Sequence, residues 1–154
     1  MPVEQQNRRG RLWRYAPLIF WLCVIAYFSS GNASMSNTSR VIRPILLFLI
    51  PDLDEISILT IQVFIRKTAH FITYFTLALL ASRAFATSKI TFLRRFWFAF
   101  AFLIMLITAS LDEFHQSYLS TRTGSAYDVS LDSIGGATAI LIYFVIKKFG
   151  ARDF

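Results

Sequence analysis

Apolar residues fall into four long runs that are separated by shorter polar segments. A transmembrane helix needs about 20 mostly apolar residues to cross a hydrocarbon core of about 30 Å. We therefore predict an all-α membrane protein with four transmembrane helices, running up-down-up-down over about residues 13–30, 68–86, 96–112 and 128–147. A cleaved signal peptide is the alternative for the first run, because that run is short and is followed by small residues.

A further apolar segment, residues 41–50, lies between the first two predicted helices. It contains Arg43 and Pro44 and is followed by Pro51, so it is too short to cross the membrane. We predict an interfacial or re-entrant segment, with a partly buried loop as the alternative. Residues 56–63 then show apolar positions at helical spacing behind a group of acids, which favours a helix start.

The composition indicates a single membrane domain over residues 1–154. Hydrophobic residues make up 55% of the chain, which is more than a soluble domain of this length needs. The net charge of +7 comes without a nucleic-acid-binding motif, so we predict no nucleic-acid partner. The lone Cys23 excludes an intrachain disulfide and a cysteine-based metal cluster.

The distribution of basic residues predicts the orientation. With the N-terminus inside, eleven of the sixteen Lys and Arg residues lie on the cytoplasmic side. This excess predicts a multi-pass protein of the cytoplasmic (inner) membrane with both termini in the cytoplasm. The start of the second helix, the end of the third and the start of the fourth then share the outer face.

Polar and ionisable residues gather at these three helix ends. Such residues at a membrane boundary are costly to keep there and by default indicate a functional site. The candidate ligand-binding residues are Arg66, Lys67, His70, Tyr74, Asp112, Glu113, Gln116, Arg122, Asp128 and Asp132.

The second predicted helix carries a polar stripe. Lys67, His70 and Tyr74 lie at positions i, i+3 and i+7, so they share one helix face. Arg66 and Lys67 form a basic pair at the predicted N-terminus, where free N–H groups would help to bind an anion. The alternative is that the pair only fixes the depth of the helix in the membrane.

The third predicted helix ends in acids. Asp112, His115 and Gln116 lie at i, i+3 and i+4, with Glu113 alongside. The alternative to a site is a solvated helix end. A carboxylate near an imidazole also permits acid–base chemistry, so His70, Glu113 and Asp112 are the catalytic candidates.

The fourth predicted helix begins with two acids. Asp128 is placed to cap it, whereas Asp132 lies one turn inside. Gly135 and Ala139 have the small-xxx-small spacing that allows a neighbouring helix to approach closely. Because no HExxH-like ligand spacing occurs, we predict neither a metal nor another cofactor.

Three blocks of the chain, RKTAHFITYFTLALL, DEFHQSYLSTR and DVSLDSIGG, resemble the VanZ-like family of small membrane proteins. That family's pattern is a basic pair, Ala-His-Phe, a tyrosine one turn later, Asp-Glu-x-x-Gln, an arginine, and an aspartate ahead of a glycine. The matching positions are Arg66, Lys67, His70, Tyr74, Asp112, Glu113, Gln116, Arg122, Asp128 and Gly135. Where many members have asparagine, this chain has Asp132.

The resemblance implies a cell-envelope protein, since the family is named for a protein associated with resistance to the glycopeptide teicoplanin. No established reaction comes with the name. Our first hypothesis is that the outer-face residues recognise an anionic lipid-linked group, such as a phosphate-bearing cell-wall precursor, with membrane lipids as partners. One alternative is a structural or partner-binding protein whose polar residues lock the helices together. Another is a membrane enzyme in which His70 or Glu113 exchanges a proton at a lipid head group.

Overall fold

The computed structural model describes residues 2–29, 35–118 and 125–150, and its regular elements within these ranges are helices. In chain order they are α1 (Pro2–Tyr27), α2 (Met35–Leu49), α3 (Glu55–Ala86), α4 (Thr91–Arg95), α5 (Trp97–Ser117) and α6 (Ala126–Phe149). By length and composition, α3, α5 and α6 can each cross a membrane, and α1 contains a shorter apolar stretch, Leu12–Tyr27.

Small side chains make up much of the centre of the α3–α5–α6 bundle. In α5, Ala101, Met105 and Ala109 are fully buried at i, i+4 and i+8, so one face of the helix packs inward. The predicted pair of small residues in α6, Gly135 and Ala139, is buried as well. Small residues let helix backbones approach closely, which brings the polar groups of the three helices within reach of one another.

Helix α1 lies antiparallel to α3. The Tyr15 hydroxyl donates a hydrogen bond to Ser88 Oγ (3.0 Å), and Trp21 Nε1 donates one to the backbone oxygen of Thr73 (3.0 Å). Further along, Ser29 Oγ lies 3.4 Å from Nδ1 of His115, near the end of α5. Helix α1 therefore extends from one end of the bundle to the other.

The second predicted transmembrane helix begins much earlier than residue 68. Helix α3 starts at Glu55 and has 32 residues, a length of about 48 Å. Asp54 caps it by accepting a hydrogen bond from the Ser57 N–H (3.2 Å), and hydrogen bonds from Ser57 lower the pKa of Asp54. Arg66 and Lys67 therefore lie inside the helix, and the prediction that free N–H groups of a helix N-terminus assist them is wrong. Anion binding by the two side chains stays a prediction.

Helix α2 packs against the early turns of α3. Ser39 Oγ donates a hydrogen bond to Gln62 Oε1 (2.9 Å), and Arg43 forms an ion pair with Glu55. These contacts explain why α3 continues upstream of its basic pair. At 15 residues, α2 is longer than the predicted segment but still too short to cross the membrane. Its interfacial placement stays a prediction.

Helix α1 begins at Pro2, well before the predicted residue 13, but its apolar stretch is Leu12–Tyr27. Helix α5 begins one residue after position 96 and extends through Ser117, and α6 covers the fourth predicted span. The acids of α5 therefore lie within the helix and not after it. Position 30, the predicted end of the first span, lies outside the described residues.

We expect Gly135→Ala to destabilise the protein by about 1–3 kcal/mol, as overpacked substitutions do. A Cβ at Gly135 would lie 2.8 Å from the backbone oxygen of Phe71, so α3 and α6 would have to separate. The melting temperature in detergent measures the loss. Gly136→Ala is the control, since the three atoms nearest to its Cβ would belong to the Met105 side chain, at 2.6–3.0 Å, and a side chain can move more easily than a backbone. Equal melting temperatures for the two variants would contradict the prediction.

Candidate functional site

A polar cluster lies where α5 ends and α6 begins, against the middle of α3. We use "polar cluster" for Arg66, Lys67, His70, Tyr74, Asp112, Glu113, Gln116, Asp128 and Asp132. Three helices contribute to it, as the sequence predicts. The tenth candidate, Arg122, lies outside the described residues.

The predicted stripe of α3 supplies three members of the polar cluster, and each of them contacts α5 or α6. Lys67 forms an ion pair with Asp128 of α6. One turn on, the His70 imidazole lies between acids of α5 and α6. Another turn on, Tyr74 donates a hydrogen bond to Asp112 Oδ2 (2.8 Å). The spacing i, i+3, i+7 thus puts three polar groups on the contact face of one helix.

His70 faces two carboxyl groups. Its Nδ1 atom is 3.6 Å from Asp132 Oδ2 and 3.9 Å from Glu113 Oε1. Both distances exceed an ordinary hydrogen bond, so the interaction is electrostatic. The side chain is 19% exposed, and Nδ1 has no hydrogen-bond partner among the described residues.

Three acids of the polar cluster are buried. The exposed fraction is 8% for Asp112, 4% for Glu113 and 0% for Asp132. Asp112 accepts the Tyr74 hydroxyl, and Glu113 Oε2 accepts the backbone N–H of Ser125 (3.0 Å). Within the described part of the chain, Asp112 Oδ1, Glu113 Oε1 and both oxygens of Asp132 have no hydrogen-bond partner. Unpaired buried carboxylates are costly, so the described residues do not satisfy this cluster by themselves.

The two basic side chains lie beside these acids and not among them. Arg66 donates a hydrogen bond from its guanidinium to Gln116 Oε1 (3.0 Å). Lys67 pairs with Asp128, and its ammonium lies 5.0 Å from the centre of the Tyr127 ring. Neither cation forms an ion pair with one of the three buried acids among the described residues.

Two sequence-based roles are wrong. Asp128 does not cap the fourth helix: the cap is Ser125, whose hydroxyl accepts the Tyr127 N–H (3.1 Å). This leaves the Asp128 carboxylate available for Lys67. His115 is exposed and contacts Ser29, so it does not join the cluster with Asp112. The solvated-end alternative for the acids of α5 is also wrong, because both are buried.

A cavity of about 390 Å³ adjoins the polar cluster between α1, α3 and α5. Its polar lining includes Arg66, His70 and Asp112. The apolar lining is Trp21, Val24, Ile25, Phe28, Ile65 and Ala69. The contribution of α1 was not found from sequence, because an apolar helix face gives no sign of whether it meets lipid or a cavity.

The fold and this site define a class of protein: a bundle of apolar helices long enough to cross a membrane, with a buried polar cluster at one end. A family model described as VanZ/LLP1 matches residues 13–147. The chain belongs to this family, as the sequence blocks indicate, and is a multi-pass membrane protein. No curated protein and no solved structure matches the chain at a significant level.

We expect Tyr74→Phe to lower the free energy of unfolding by about 1–3 kcal/mol, because it leaves a buried acceptor without its donor. The acceptor is Asp112 Oδ2, and Tyr74 is only 1% exposed. Thermal unfolding in detergent measures the effect. Tyr143→Phe is the matched control, since its hydroxyl forms no hydrogen bond with a described residue. An equal loss of stability in both variants would show that the hydrogen bond from the Tyr74 hydroxyl does not stabilise the fold.

Proposed function

We propose that this chain is a cell-envelope protein with four membrane spans, both termini in the cytoplasm and the polar cluster on the outer face. Helix α1 supports the fourth span, since it follows the bundle from Ser88 to His115. Basic residues at the opposite end of the bundle support the orientation, because cytoplasmic segments are enriched in Lys and Arg. They are Arg83, Lys89, Arg94, Arg95, Lys147 and Lys148.

The ligand we propose is an anionic lipid-linked group, such as a phosphate-bearing cell-wall precursor. The observation that carries this proposal is the cavity of about 390 Å³, whose mostly apolar wall leads to Arg66. An amphiphile fits such a site, because apolar walls suit a hydrocarbon chain and a few polar groups fix the head group.

Arg66 is the anion-binding group in this proposal. A guanidinium has five N–H donors in a planar fork that matches phosphate. One N–H group of Arg66 donates a hydrogen bond to Gln116. No carboxylate of the described residues forms an ion pair with Arg66. Lys67 is a weaker candidate because Asp128 already neutralises it.

Family membership fits a link to glycopeptide resistance. A protein that binds a lipid-linked cell-wall precursor would lower the amount that teicoplanin can capture. A resistance assay therefore accompanies the binding assay: the wild-type chain should raise the teicoplanin concentration needed to inhibit growth, and a binding-deficient variant should not.

We expect purified full-length protein in nanodiscs to bind a polyprenyl phosphate, and to bind the matching polyprenol, which has no phosphate, much more weakly. Arg66→Ala should weaken phosphate-lipid binding about 10- to 100-fold, because a charged hydrogen bond contributes about 1.5–3 kcal/mol. Native mass spectrometry measures the retained lipid.

Arg83→Ala is the matched control, since Arg83 is an exposed arginine of the same helix at its far end. Equal retention of polyprenol and polyprenyl phosphate would contradict the head-group proposal. Unchanged binding by Arg66→Ala would contradict the role of that residue.

A structural role is the second candidate function, and the contacts between helices favour it. Lys67 joins α3 to α6, and Tyr74 joins α3 to α5. Such links can fix helix positions without any ligand. In that case the polar cluster would affect stability alone.

A double-mutant cycle on Lys67→Met and Asp128→Asn measures this role. The side chains of the pair are 39% and 21% exposed, so we expect a coupling below about 1 kcal/mol. Thermal unfolding provides the single- and double-variant stabilities. A coupling of several kcal/mol would favour the structural role over lipid recognition if the Lys67→Met and Asp128→Asn variants also retained lipid as the wild type does.

A further inference from the structure

We propose that His70, Asp112 and Glu113 form a binding site for a divalent transition metal, for which Zn²⁺ is the best match. One ligand atom from each of the three residues can be chosen so that all lie within 4.8 Å of one another. They are an imidazole nitrogen from α3 and two carboxylate oxygens from α5. This set extends beyond lipid recognition and does not depend on it.

Both carboxylates are arranged as metal ligands usually are. One oxygen of each accepts a hydrogen bond: Asp112 Oδ2 from the Tyr74 hydroxyl and Glu113 Oε2 from the Ser125 N–H. The other oxygen of each is buried with no partner among the described residues. Metal-ligating carboxylates are commonly held by such outer hydrogen bonds.

Asp132 is a separate sign that a cation belongs here. It is fully buried, neither oxygen has a hydrogen-bond partner in the described ranges, and Oδ2 points at His70 Nδ1 from 3.6 Å. Three buried carboxyl groups thus lie near one imidazole, which directly faces two of them, while the nearby Lys67 pairs with Asp128. Buried charges need a compensating partner, and a divalent cation supplies one.

The donor atoms favour zinc over magnesium or calcium. Imidazole suits Zn²⁺, whereas sites made of oxygen alone suit the harder cations. Zinc binds these donors at about 2.0–2.2 Å in a tetrahedral arrangement, so two donors of one ion lie about 3.4 Å apart. Binding the ion requires side-chain rotations that bring donor atoms from within 4.8 Å of one another to that spacing.

Three protein ligands leave a coordination position open, as in catalytic zinc sites. His70 and Asp112 also line the cavity between α1, α3 and α5. The open position would therefore face the cavity. The sequence predicts no metal because it has no local ligand motif. The proposed ligands come from α3 and α5, which only the fold brings together.

The test uses full-length, tag-free protein in detergent, stripped with a chelator and then titrated with Zn²⁺ alone. We expect one zinc per chain by equilibrium dialysis, with affinity reduced at least tenfold in His70→Gln and in Glu113→Gln. His115→Gln is the matched control, since the chain has two histidines and His115 is exposed. It should bind zinc as the wild type does.

A second measurement keeps the test decisive if a variant fails to fold. X-ray absorption of the zinc-loaded wild type should show a first shell of nitrogen and oxygen that includes an imidazole. Failure of the wild type to bind zinc, or equal affinity in Glu113→Gln, would overturn the proposal. Because no lipid is added, this failure is distinct from failure of polyprenyl phosphate binding, which Arg66→Ala tests.

Discussion

The burial of three carboxyl groups beside one imidazole is the constraint on which the rest of this structure depends. Asp112, Glu113 and Asp132 lie at the end of an otherwise apolar bundle, where an uncompensated charge is unfavourable. Their protein contacts in the described chain supply hydrogen bonds to two of the three and no fixed positive charge. These acids therefore need a compensating partner beyond the described contacts.

Packing of small residues sets the geometry of this contact. Gly135 of α6 lies so close to the backbone of Phe71 that a Cβ would not fit. Phe71 is the neighbour of His70, and Gly135 is one turn from Asp132, so the same close approach determines the distance between imidazole and carboxylate. A change in this helix packing would therefore also change the distance between the imidazole and the carboxylate.

The sequence predicts the helices and their convergence well, because apolar runs and stripes at i, i+3 and i+7 follow from helix geometry. It fails where tertiary contacts decide. Arg66 and Lys67 look like charges that flank a span, yet α2 packs against the preceding turns and α3 continues through them. Asp128 has the sequence position of a helix cap, yet its carboxylate forms an ion pair with Lys67, and Ser125 caps α6. Periodicity does not reveal which face of α5 is buried, because that depends on the neighbouring helices. It therefore could not show that His115 lies outside the polar cluster.

Charge compensation also links the two ligands we propose. An anionic head group bound to Arg66 would occupy a cavity that Asp112 also lines, and like charges so close oppose binding. Among the described residues, Arg66 alone must then outweigh the repulsion of buried carboxylates that no fixed cation there neutralises. A divalent ion held by His70, Asp112 and Glu113 would remove much of that repulsion and could offer its open position to a phosphate oxygen. On this reasoning the metal strengthens binding of the anion, and by thermodynamic reciprocity the anion strengthens binding of the metal.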